Sequence, residues 1–401
     1  MSDSARDFAN QLYRLQITEY AVRAQKKQEE AVNASKGSSA KAPRSAIAPF
    51  TYAGLDMTSK LRELRRGVEA YIHQAPDQSF DDIKGNEEAL AQLRDVIEGP
   101  FLHKELYEAY GMVPPKGALL VGPPGCGKTM FARAAASTMR KLGGKDTEYL
   151  IINGPELQSQ YVGATEARIK AIFNYAAEYK KVNGHPLLVF IDEADAILPD
   201  RVNCYKYEAG QVAMFLAELD GVQESGVFLL LATNRPEAID PAVLREGRCD
   251  MKIKISRPDR YAIEDILEKE FSAMPLKGKV PELVTAAVES LFDPFRVIYA
   301  GYGVVVKNGK VVSREGKDFC LEHTVTGAMA VGIPARAKRI AFLRDKASTT
   351  RTGVQVNDVI RAVDEVFAES KLLSHTYAIK EFSDAYSIEK ENAEHSNQRL
   401  N

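Results

Sequence analysis

Residues Gly122 to Thr129 read GPPGCGKT, preceded by the apolar run GALLV from Gly117 and followed by MFARAAASTMR from Met130. A Gly-rich turn that leaves a strand, enters a helix and closes on Lys-Thr is the context a phosphate-binding loop needs. Gly122, Gly125 and Gly127 let backbone N–H groups turn inward around phosphate oxygens at a helix N-terminus, where the dipole favours an anion. Pro123, Pro124 and Cys126 complete the loop. Lys128 is expected to reach the β and γ phosphates of a nucleotide. The Thr129 hydroxyl is expected to hold Mg2+, which keeps most of its octahedral shell from water and phosphate oxygens. Cys126 stands beside a lysine and a helix start, a setting that favours thiolate, so an exposed Cys126 predicts a loop that alkylation blocks.

Two further strands carry polar residues at their ends. LLVFI, from Leu187, runs into Asp192 and Glu193. Beside a phosphate loop, Asp192 is expected to fix Mg2+ through its waters and Glu193 to polarise the attacking water as general base. VFLLLAT, from Val227, runs into Asn234, whose uncharged amide can hold water and γ phosphate without competing for protons. In LREGRCD, Arg245 and Arg248 are spaced so that both guanidinium groups can face one target. An arginine supplied from outside a subunit can neutralise charge developing in phosphoryl transfer.

Working outward, GALLV, YLIIN at Tyr149, LLVFI, VFLLLAT and MKIKI at Met251 alternate with amphipathic helices, the pattern of a parallel sheet flanked by helices. Between Glu166 and Tyr179, Ile169, Ile172, Phe173 and Ala176 fall at helical spacing and predict one buried face. The α/β region is expected over 77–256. A smaller helical lid domain is expected over 257–375, interrupted near 303–321 by a hairpin whose Asn308-Gly309 is a two-residue turn signal. Residues 1–76 read as a helical and linker segment for docking a partner: a helix to about residue 34, a Ser, Ala, Lys and Pro-rich linker Ser35–Pro49, and a charged helix over Met57–His73. Residues 376–401 read as a polar tail.

The chain has 401 residues, 53 Lys and Arg against 55 Asp and Glu, and a net charge of -2, which gives no general electrostatic reason to bind nucleic acid or an anionic membrane. Residues 1–75 hold twelve basic against eight acidic residues, without the interleaved aromatics that single-strand binding uses. Cys126, Cys204, Cys249 and Cys320 form no CxxC pair, and the six histidines show no metal spacing. With no signal peptide pattern at the start and no apolar run long enough to span a bilayer, the expectation is a cytoplasmic protein.

Together these motifs resemble the AAA family, in the branch of proteasomal ATPases, AAA proteases and protein-unfolding segregases, from about Ser79 to Leu373. SFDDIKG at Ser79 is similar to the family's entry motif, which implies Asp82 and Ile83 against the adenine, with Lys84 in place of the usual first Gly. Thr326-Gly327-Ala328 is similar to its lid counterpart, so Gly327 and Ala328 join the nucleotide set. The resemblance implies that Arg245 and Arg248 act on the next subunit's ATP in a homohexameric ring, although Glu246 and Cys249 depart from the usual Pro and Phe there. NGPELQSQYVGATE at Asn153, IKISRP at Ile253 and the hairpin before GAMAVGIPARAKR resemble the actinobacterial proteasomal ATPases. Those enzymes carry a long coiled coil and two small β-barrels ahead of the ATPase module, for which roughly 76 residues are too few. Their hydrophobic-Tyr-any tail is not matched by Gln398-Arg399-Leu400-Asn401.

In the unfoldases of this branch, an aromatic, aliphatic, glycine loop lines a central pore and grips polypeptide. Tyr161-Val162-Gly163 matches it, and Tyr205 and Tyr207 are candidates for a second ring of contacts. The implied activity is MgATP hydrolysis that drives protein remodelling, with a protein substrate or adaptor met by the N-terminal segment. A nucleic-acid-stimulated motor or loader and a slow ATP-switched assembly factor are the alternatives.

Overall fold

The computed structural model describes residues 50–52, 55–57, 59–74, 77–143, 147–158, 163–202, 204–220, 226–274, 278–307, 310–347 and 351–372, with the backbone alone described for 50–57 and 301–317. The expected helix to residue 34, the linker Ser35–Pro49 and the tail from Thr376 lie outside these residues. The chain divides into an α/β unit, mainly residues up to Lys254, and a helical unit, mainly from Ile255, which also takes in Lys84–Glu87 and Gly122–Gly127.

The α/β unit opens with a short hairpin, β1 (Phe50–Tyr52) and β2 (Leu55–Met57), and a helix, α1 (Ser59–Arg66). Then follow β3 (Ile72–Gln74), α2 (Glu87–Leu102), α3 (Lys104–Ala109), β4 (Gly117–Val121), α4 (Lys128–Gly143) and β5 (Glu148–Asn153). It continues through α5 (Gly154–Leu157), α6 (Ala164–Asn183), β6 (Leu187–Asp192), α7 (Lys206–Asp220), β7 (Val227–Thr233) and β8 (Met251–Lys254). The sheet order is β3-β5-β6-β7-β4-β8, parallel except for β3, which pairs antiparallel with β5. β7 is buried along its whole length and β6 up to Asp192, as expected where helices cover both faces of parallel strands. Ile169, Ile172, Phe173 and Ala176 of α6 are all buried in the core against this sheet, as their spacing requires.

The segment ahead of residue 77 departs from the expectation of a separate docking region. α1 ends at Arg66, and Gly67 gives way to a single 3-10 turn, Glu69–Tyr71, and then to β3, so the helix expected through His73 is interrupted. The reason is tertiary. Leu61 and Val68 are buried in the same core as α6 and β6, and Ile72 pairs with Leu150 across the sheet edge. Arg65 fastens the same point: its Nη2 lies 2.8 Å from Glu148 Oε1, and the buried Tyr175 hydroxyl donates to Glu148 Oε2 at 2.8 Å. Burial, then the adjoining Glu148 carboxylate, pushes the Tyr175 phenol far above its ordinary value.

The helical unit consists of α8 (Arg260–Ser272), α9 (Val280–Leu291), a hairpin of β9 (Val297–Lys307) and β10 (Lys310–Cys320), then α10 (Gly327–Lys346) and α11 (Val356–Lys371). Ile263, Leu267, Leu283, Ala287, Ile333 and Val359 are among the side chains closing its core, each no more than 1% exposed. Lys307 stands opposite Lys310, leaving two residues between the strands, while Asn308 and Gly309 themselves lie outside the described residues. The hairpin starts at Val297, earlier than the Val-rich runs alone indicate.

If α1 belongs to the α/β core, Leu61→Ala will destabilise the protein by about 3 kcal/mol, the usual order for emptying a fully buried leucine site. Urea unfolding will register this as a lower midpoint at unchanged slope; a midpoint within error of wild type will show that α1 is peripheral.

Candidate functional site

The parallel register places the carboxyl ends of three strands side by side, since Val121 pairs with Thr233 and Ile191 with Leu231. The polar residues that leave those ends therefore meet. Lys128, 8% exposed at the start of α4, donates from Nζ to Asn234 Oδ1. Thr129 Oγ1 donates to Asp192 Oδ2 at 3.1 Å. Oxygens on an octahedral Mg2+ shell of about 2.0–2.1 Å radius stand about 3 Å apart at adjoining positions, so this hydroxyl and carboxylate suit one divalent ion and its water.

Glu193 follows at φ 49°, a left-handed conformation that costs a non-glycine residue about 1–2 kcal/mol. Two contacts hold it there: its N–H donates to Asp192 Oδ1 at 3.0 Å, and its carbonyl accepts from Ala196 at 2.9 Å. Gly154 accommodates the turn, because a Cβ at that position would meet the Glu193 carbonyl oxygen at 2.4 Å. The carboxylate itself is exposed. Sequence reasoning missed the support beneath Asn234. Thr233 Oγ1 donates to Asp195 Oδ1 at 2.7 Å and accepts from the Arg235 N–H at 2.9 Å, while Arg235 Nε lies 3.2 Å from Asp195 Oδ2. Asp195, three residues after Asp192 at the end of an apolar strand, is the signal that could have found it.

In the helical unit, the glycine segment Gly122–Gly127 lies against Ile255 and the start of α10. A Cβ at Gly122 would meet the Ile255 carbonyl oxygen at 2.2 Å, and Gly125 and Gly127 have φ of 76° and 90°, so side chains are excluded by crowding or backbone strain. Ala328 N–H donates to Gly125 O at 3.1 Å, and Thr326, which caps α10 through Met329, stands against Gly125. Ala328 thus adjoins the loop, and Gly327 lies beside it. Pro123 is half-buried and Pro124 exposed. Cys126 is 8% exposed, its Sγ 4.0 Å from the Pro124 carbonyl, so the exposure on which alkylation of the loop depends is not met.

In the entry segment, the Asp82 carboxylate accepts the Ser79 N–H at 2.8 Å and so closes its own turn, leaving the half-buried Ile83 as the apolar candidate there. Arg245 and Arg248 do not face one target within the chain. Arg248 Nε donates to Asp220 Oδ1 at 2.7 Å and Nη2 to Oδ2, and this holds Asp220 below the usual carboxylate range. Arg245 is exposed, and among the described residues its guanidinium makes no hydrogen bond or ion pair. Arg248 Nη1 also donates to the Ala242 carbonyl, and the neighbouring Cys249 is fully buried. Tyr161 and Val162 lie outside the described residues; Gly163, at φ 83°, leads into α6. Tyr205 and Tyr207 are exposed and stacked, with ring centroids 5.8 Å apart.

Residues 118–257 match the family model described as AAA, the ATPase family associated with various cellular activities. The chain is 40% identical over 311 residues to a Corynebacterium efficiens protein named "AAA ATPase forming ring-shaped complexes", covering 76% of this chain and 57% of that one. It is 37% identical over 332 residues to a "Proteasome-associated ATPase" of Mycobacterium ulcerans, covering 76% and 53%. A protein of the same name from Nakamurella multipartita is 37% identical over 331 residues, covering 76% and 54%. The chain thus spans little more than half the length of these curated relatives. It carries an AAA ATPase domain on a P-loop fold, with a mostly parallel sheet flanked by helices. Among the described residues, no helix is long and apolar enough to cross a membrane.

Of the four cysteines, Cys126, Cys249 and Cys320 are buried and Cys204 is partly exposed. Under brief alkylation of the folded protein, Cys204 will therefore be labelled first, as read by peptide mass spectrometry. Cys126 labelled ahead of Cys204 would mean that the loop opens to solvent.

Proposed function

We propose that the chain binds and hydrolyses MgATP in a ring of identical copies, typically a hexamer, and uses the cycle to remodel or unfold protein. The observation that carries the ATPase reading is the meeting of Lys128, Thr129, Asp192, Glu193 and Asn234 at the ends of adjoining buried strands. Lys128 and the loop N–H groups hold the phosphates. Thr129 and Asp192 hold Mg2+, which neutralises phosphate charge when bound. Glu193 accepts a proton from the attacking water, and Asn234 orients that water against the γ phosphate. Asp195 and Thr233 are positioning residues that keep Asn234 in place.

Ring assembly rests on the relatives named for ring-shaped complexes and on the exposed Arg245, which is available to a neighbouring copy. Arg248 joins it when the Asp220 contact is released. The relatives named as proteasome-associated ATPases support a protein substrate. In this reading Tyr161, Val162 and Gly163 grip polypeptide, and the residues ahead of α1 meet a substrate or adaptor. Membranes are not partners, and nucleic acid is disfavoured by the net charge of -2.

Glu193→Gln will retain ATP binding while turnover falls by about 10²-fold or more, the order that loss of a general base produces. Arg245→Ala will cut turnover by a factor on the order of 10³. Mixing the two inactive proteins will restore activity, because a Glu193→Gln copy can lend its arginine to an Arg245→Ala copy. No recovery on mixing contradicts sharing between copies. Unfolded protein will stimulate wild type but not Tyr161→Ala; stimulation by DNA or RNA alone favours the nucleic-acid reading instead.

A further inference from the structure

The helix α5 has four residues, Gly154–Leu157, with Pro155 in its first turn, and is too short to be held by its own hydrogen bonds. Its place is set from outside. Asn153 at the end of β5 pairs with Asp192 at the end of β6, so α5 begins where Glu193 leaves the sheet, and Leu157 anchors it in the core. A four-residue α-helix rises about 6 Å, and the 3-10 segment Ala194–Ala196 that follows Glu193 rises about as much. The two segments match in length, and contacts join them at both ends. At the start, Gly154 lies so near the Glu193 carbonyl that a Cβ would meet its oxygen at 2.4 Å. At the end, Gln158 Nε2 donates to the Ala196 carbonyl at 2.6 Å.

We propose that Gln158 and Arg168 are positioning residues for ATP hydrolysis: together they fasten α5 along the turn that carries Glu193, and so hold the general base in place. The inference rests on the assignment of Glu193 as that base.

Arg168 fixes the far end of α5. It lies in the second turn of α6, and its Nη1 stands 3.0 Å from the Glu156 carbonyl, 3.1 Å from that of Leu157 and 3.4 Å from that of Gln158. The last carbonyls of a helix have no partner within it, and a cation over them both satisfies them and meets the negative end of the helix dipole. The half-buried Arg168 thus sets the backbone from which the Gln158 side chain reaches Ala196. Ala196 N–H in turn donates to the Glu193 carbonyl at 2.9 Å, so hydrogen bonds run without a break from Arg168 through Gln158 and Ala196 to Glu193. A non-glycine residue at φ 49° persists only where its surroundings fix it. The other support, from Asp192 Oδ1 to the Glu193 N–H, belongs to a residue assigned to Mg2+, whereas the support through Gln158 is independent of the metal position.

The test compares full-length wild type with Gln158→Met, Arg168→Ala and Arg168→Lys, each made also in the Glu193→Gln background. Turnover at saturating ATP is followed with radiolabelled nucleotide, and affinity with a fluorescent ATP analogue. Gln158→Met keeps the length of the side chain and removes the donor. It is expected to lower kcat about fivefold, the order of one hydrogen bond, at unchanged nucleotide affinity. Arg168→Ala is expected to lower kcat tenfold or more, and Arg168→Lys, which keeps a charged donor, to recover most of that loss. In the Glu193→Gln background none of the three will lower turnover further, because the group they position is already gone. Circular dichroism checks folding, and the exposed Gln158 carries the test if Arg168→Ala fails to fold. Wild-type turnover in Glu193→Gln alone would overturn the assignment of the base itself. With that assignment intact, wild-type kcat in Gln158→Met, a parallel loss of affinity, or the full loss repeated in the Glu193→Gln background overturns this inference.

Discussion

Burial of β6 and β7 on both faces is the constraint from which the site follows. Parallel strands covered by helices on either side have no room for unpaired polar side chains, so Leu187–Ile191 and Val227–Ala232 are apolar throughout. Polar chemistry is then confined to the residues at which each strand leaves the core. Because the ladder sets Val121 beside Thr233 and Ile191 beside Leu231, those exits coincide. Asp192 and Asn234 converge as a consequence of sheet register, and the Gly122–Gly127 loop brings Lys128 and Thr129 from the end of β4 to meet them.

The same economy appears in the contacts around the site. Asp192 offers one oxygen to Thr129 and the other to the Glu193 backbone, so the residue assigned to Mg2+ also holds the strained turn that presents the general base. Asp195 and Thr233 tie the turn after β6 to the turn after β7. A change in any one of these groups therefore reaches its neighbours through a hydrogen bond rather than through diffuse packing, and coupled effects of paired substitutions are expected among them.

What could be read in the sequence was what depends on neighbours along the chain. The phosphate loop, the apolar strands and the buried stripe of α6 are local patterns, and each lies where its pattern required. Residues 59–74 were misjudged because their place is fixed by a partner far along the chain: the charge of α1 is conspicuous, while Leu61 in the core and Ile72 beside Leu150 leave no mark on local periodicity. The spacing of Arg248 from Arg245 suggests a common target, and its contact with Asp220, 28 residues away, leaves no mark on that spacing. Cys126 looked reactive from its neighbours in the loop and is buried by the fold.

The central claim is that the Thr129 hydroxyl and the Asp192 carboxylate, brought to 3.1 Å by adjoining strand ends, form the Mg2+ position of the nucleotide site. Equilibrium binding of a fluorescent ATP analogue, measured with and without Mg2+, tests it most directly. The account predicts that Mg2+ tightens binding to wild type and that this gain disappears in Asp192→Asn and Thr129→Ala, while metal-free binding is retained. A Mg2+ effect of wild-type size in both variants would contradict it.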